Sequence, residues 1–99
     1  MLDFYILPDN HSQPKYPEQA HLSYAGELDD HTFKNLQDKK VIGKQFEYYS
    51  DFRWPTEVIS QMERIISEKK LQDDTDVQQL MSIFKAAAMK KSGLIAYGD

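Results

Sequence analysis

Apolar positions along this chain change period from segment to segment, and each change marks an element. Residues 2–7, LDFYIL, are a short run of β-formers closed by Pro8. A run without alternation predicts a central strand buried on both faces. Over residues 21–27, HLSYAGE, the positions Leu22, Tyr24 and Gly26 alternate with polar neighbours, which predicts a second strand with one face on the core. The final residues 94–99, LIAYGD, predict a short strand that returns beside the first.

Elsewhere the period is helical. Val58, Ile59, Met62, Ile65 and Ile66 predict a helix over residues 55–70, with Pro55 suited to its first position. Val77, Leu80, Met81, Phe84, Ala87 and Ala88 share one face of a helix over 76–91, capped by Asp74 or Thr75 and closed by Lys90, Lys91 and Gly93. These two are expected to pack as a hairpin. A shorter helix is expected over 30–40, capped by Asp29 or Asp30, with Lys39 and Lys40 complementing its dipole. Its stripe of Phe33 and Leu36, continued by Val41 and Ile42, is thin, which predicts packing against the sheet rather than inside the core.

Two stretches resist a periodic description. Residues 8–19 hold three of the four prolines among Asp, Asn, Ser and Gln, which predicts an irregular loop, either a spacer across the sheet end or a functional segment. Residues 46–54, FEYYSDFRW, place five aromatics in nine positions, as a third strand or an irregular aromatic segment. Alternation points Phe46 and Tyr48 one way and Glu47 and Tyr49 the other, with Phe52 or Trp54 sealing the following helix. The expected fold is α+β: a small, mainly antiparallel sheet of three to four strands packed by a C-terminal helix hairpin and one shorter helix.

Ninety-nine residues suffice for one domain, and two cores would leave each half too short to fold unaided. The 12 basic and 16 acidic side chains give a net charge of -4, which argues against nucleic acid as the main ligand. With no cysteine there is no disulfide framework or thiol nucleophile, which fits a reducing compartment. The N-terminus lacks the basic region and length of a signal peptide, and no apolar run is long enough to span a membrane. The cytoplasm is the expected location.

Candidate chemistry is sparse. His11, His21 and His31 lack the spacing that puts two ligands on one helical face, and DDTD at 73–76 lacks the glycine and distal glutamate of a calcium loop, so no metal or other cofactor is expected. There is no nucleophile elbow and no phosphate-binding glycine loop. Glu47 and Asp51 beside Tyr48 and Tyr49 would make an acid/base pocket only at a specific separation with a shifted pKa, and solvated charges are the simpler account. The more informative grouping is Tyr48, Tyr49, Phe52, Arg53 and Trp54, because tyrosine, arginine and tryptophan dominate binding hot spots, although five aromatics equally suit an entirely structural core. Glu27, Glu47, Asp29, Asp30 and Asp51 would give such a surface a negative field that attracts a basic partner.

LDFYIL at the start, YAGELDDHTFKNL after a loop, RWPTEVISQMERII as a helix and GLIAYGD at the end resemble the small α/β immunity proteins of bacterial polymorphic-toxin systems. The resemblance covers most of the length as a pattern of elements and carries no invariant motif, so it transfers no residue role. It implies a protein that binds a toxin stoichiometrically and blocks its active site or its access to the target. The expectation is therefore a non-enzymatic binding module, monomeric or weakly homodimeric, whose partner is a protein such as a basic toxin domain. Two alternatives stay open: an enzyme or ligand-binding domain with a pocket between sheet and helices, and a subunit dimerising through its aromatic segment.

Overall fold

The N-terminal run of β-formers does become a strand, and the rest of the sheet assembles around it. A computed structural model describes residues 1–14 and 21–98. The elements are β1 (Leu2–Leu7), β2 (Ser23–Leu28), α1 (Asp30–Asp38), β3 (Phe52–Trp54), α2 (Thr56–Glu68), α3 (Thr75–Met89) and β4 (Gly93–Tyr97). The strands form one antiparallel sheet in the order β2-β1-β4-β3, so the fold is the small α+β arrangement expected. Residues 15–19 of the expected loop and Asp99 of the expected last strand lie outside the described residues. No helix among the described residues is long and apolar enough to cross a membrane.

β1 is central, and β4 pairs with it from Asp3↔Tyr97 to Leu7↔Gly93. Leu2 and Phe4 are buried against the helices, whereas Asp3 and Tyr5 on the other face are only half-buried, so β1 is not buried evenly on both sides. That second face is covered in part by chain following β1. Arg53 donates from its guanidinium to the carbonyls of Pro8, Asp9 and His11 at 2.7–2.9 Å, and the Tyr97 hydroxyl donates to the Pro14 carbonyl at 2.9 Å. Leu7 and Ile95 are buried apart from the main core cluster.

β2 departs from the expected alternation. Phe4 pairs with Gly26 but Tyr5 pairs with Tyr24, so Ala25 is an extra residue and the strand bulges. The bulge turns Tyr24 to the opposite face from Gly26, leaving it 53% exposed instead of inward. Gly26 takes φ +147, and a Cβ there would lie 2.8 Å from Ile83 Cγ1. Glycine is thus required by both backbone and packing.

α2 lies over β3 and β4 while α3 leans over β2 and β1. Each helix ends in a lysine pair whose second member is left-handed: Lys40, Lys70 and Lys91 have φ of 63, 54 and 49. In each case the next residue closes the end, as the N–H groups of Val41, Leu71 and Ser92 donate to the carbonyls of Leu36, Ile66 and Ala87. This is the Schellman geometry that glycine usually serves. Lysine carries its steric cost, about 1–2 kcal/mol, against a favourable charge at the negative helix end.

Asp74 is the cap of α3, accepting from the N–H groups of Asp76 and Val77, and it also pairs with Lys39 at the end of α1. Asp76 accepts from Thr32 Oγ1 and Asn35 Nδ2. These bonds draw α1 onto α3, so Phe33 and Leu36 enter the core itself rather than lying against the sheet. The acidic run 73–76 is therefore connective. On α3 the buried residues are Val77, Leu80, Ile83, Phe84 and Ala87. Met81 and Ala88, expected inward, are exposed because the sheet occupies only that narrower sector.

Candidate functional site

The irregular stretch between α1 and β3 is held by a few specific bonds. Gln37 of α1 donates from Nε2 to the carbonyls of Gly43 and Phe46, and the N–H of Phe46 closes a turn onto Gly43. A second turn follows, in which the N–H and hydroxyl of Ser50 both donate to the Glu47 carbonyl. Only Phe52–Trp54 reaches β geometry, because the preceding backbone spends its hydrogen bonds in these turns.

The aromatics of this stretch divide by face. Phe46 packs at a tilt against Phe52 and edge-to-face against Trp54, at 5.0 and 5.7 Å between ring centroids. Tyr48 is half-buried, 5.7 Å from Phe33 and 4.9 Å from Tyr49. Tyr49 is 69% exposed, with Glu47 and Asp51 exposed beside it in the chain. Trp54 is wholly buried among Phe4, Phe46, Phe52 and Phe84, which removes it from any partner surface. It faces the helices because Arg53 takes the alternate position on β3. Arg53 is likewise not offered to a partner: its guanidinium clamps the three carbonyls of the 8–11 segment.

The backbone of 48–51 is pressed against the end of β4. Asp51 Oδ1 accepts from the Gly98 N–H at 3.1 Å, and a Cβ on Gly98 would lie 2.4 Å from the Tyr48 carbonyl. Glycine at 98 is what permits this approach. Since β3 and β1 begin where β4 and β2 finish, the topology brings Asp3, Glu27, Asp29 and Asp51 to one end of the sheet. Two of the expected surface acids have structural work there. Asp29 caps α1, its Oδ1 accepting from the Thr32 N–H at 2.7 Å, which holds its carboxyl below the usual range. Asp30 pairs with Lys34 one turn on at 3.4 Å.

Sequence alternation missed Tyr24, whose ring lies 5.4 Å from Tyr5 on the helix-free face. Desolvation against the sheet, followed by the Glu27 and Asp3 carboxylates, pushes its hydroxyl up to about 12. The glycine two residues later was the available signal for the bulge that exposes it. The three histidines are exposed and separate along the chain. A cavity of about 260 Å³ does exist, but it lies between α2 and α3, lined by Ile59, Glu63, Phe84 and Lys91 among others, and not by Glu47, Asp51 or His21. The remaining surface candidate is Tyr49 with Glu47 and Asp51, anchored from below by Tyr48. No protein-family model, curated protein or solved structure matches this chain.

Proposed function

We propose that this chain is a non-enzymatic protein-binding module that acts as an immunity-type inhibitor of a basic bacterial toxin domain. One observation carries the proposal: an exposed tyrosine between two exposed carboxylates, on backbone fixed by Gln37, Ser50 and Gly98. Tyrosine on rigid backbone supplies contact area at low entropic cost, and flanking acids speed encounter with a positive partner. The acids at the same end of the sheet extend the negative field, and the net charge of -4 has the same sign.

Capture of the tagged chain from its host, compared with the Tyr49→Ala, Glu47→Lys double variant, tests this. Both positions are exposed, so the variant is expected to fold. Retention of one basic protein by the wild type only, whose toxicity co-expression of this chain relieves, supports the proposal. Equal retention by both forms, or no protein above background, overturns it.

A further inference from the structure

α3 is apolar over a wider arc than the sheet uses. Met81 and Ala88 continue the stripe of Val77 and Phe84, yet Met81 is 38% exposed and Ala88 is also exposed. They border the groove between α2 and α3, where two hollows of about 260 and 540 Å³ share Glu63, Phe84 and Ala88 and so form one continuous depression. An amphipathic helix normally covers its apolar arc, and this one leaves the margin open.

The two walls of the groove carry opposite charges beside one hollow. Glu63 projects from α2 and Lys85 from α3, and both line the larger hollow with Met81, Phe84 and Ala88. Among the described residues no ion pair joins them. A two-fold axis along the groove would lay α2 of one copy over α3 of the other. Each Glu63 would then meet the other copy's Lys85, and the two apolar margins would close on each other between these pairs. An acid on one wall and a base on the other is the arrangement a self-complementary face requires.

We infer that the α2–α3 groove is a self-association surface, and that its occupant is a second copy of this chain. Stable association needs about 800 Å² from each partner, roughly an eighth of the 6040 Å² surface. The surface uses none of Glu47, Tyr49 and Asp51, so a dimer leaves the proposed partner site open.

Sedimentation equilibrium of the full chain, from about 1 µM to about 1 mM, is expected to show a monomer–dimer equilibrium. Glu63→Lys and Lys85→Glu are each expected to weaken the dimer about tenfold or more, because each places like charges together twice. The double variant Glu63→Lys, Lys85→Glu restores opposite charges and is expected to recover most of the affinity. Met81→Lys is expected to weaken the dimer without rescue by either. Monomer at every concentration, a dimer indifferent to the single variants, or a double variant no better than the singles would each overturn the inference.

Discussion

Replacing Trp54 separates a core role from an interface role. The indole is wholly buried, and its ring centroid lies 5.0 Å from Phe4, 5.3 Å from Phe52 and 5.7 Å from Phe46. Burying an aromatic side chain removes about 150–250 Å² from water. At about 25 cal/mol per Å² that is worth at most about 4–6 kcal/mol, and truncations of this kind cost about 3–5 kcal/mol. A domain of this length holds about 5–15 kcal/mol in total. Trp54→Ala is therefore expected to remove a large share of the stability, read as a lower urea midpoint by far-ultraviolet circular dichroism. Trp54→Phe differs in kind, because the indole Nε1 has no hydrogen-bond partner among the described residues. Losing part of the ring is offset by removing a buried unpaired N–H, so a cost of about 1–2 kcal/mol is expected. A Trp54→Ala protein within about 0.5 kcal/mol of wild type would refute the core assignment. A phenylalanine variant as unstable as the alanine one would refute this account of the unpaired N–H.

Arg53→Gln removes the guanidinium that clamps Pro8, Asp9 and His11, and is expected to cost about 1–2 kcal/mol. Faster amide exchange confined to residues 9–14 would accompany it, and unchanged exchange there would refute the clamp. In acid, Asp9 is held below its usual 3.8, first by the Thr56 hydroxyl and then by the Thr56 N–H, and Asp29 is lowered by its cap bonds to Thr32. The unfolded chain binds the extra protons, so this stability is complete above the unfolded value and lost as pH falls through the lower folded values. Unfolding stability is expected to decline below about pH 4 and less steeply in Asp9→Asn; a flat profile from about pH 5 to about pH 2 would contradict it.

The differences between pattern and fold have specific causes. Helical spacing located α2 and α3 to within two residues at each end, because their apolar stripes are strong and each C-terminus carries lysines. Periodicity also separated Phe46 and Tyr48 from Glu47 and Tyr49, since half-buried and exposed positions alternate there. Alternation puts Tyr24 on the wrong face because the extra residue Ala25 reverses the side chains before it relative to those after it, and only the pairing with β1 reveals the insertion. Arg53 and Trp54 matched hot-spot composition, but composition is blind to whether a neighbour is solvent, a loop carbonyl or a ring.

What the chain by itself determined is local: the helices and the strands at its two ends, where Asp74 starts α3 and lysine pairs close the helices, and that no familiar catalytic motif is written in it. Such features depend on residues a few positions apart. The tertiary structure alone decided that Trp54 is core, that Arg53 is taken up by the carbonyls of Pro8, Asp9 and His11, and that Tyr49 with Glu47 and Asp51 remains exposed. It also decided that α3 keeps an open apolar margin beside Glu63 and Lys85. Burial and pairing are set by partners distant in the chain, as Gly98 against Tyr48 and Asp76 against Asn35 show, and no window along the sequence holds both members of such a contact.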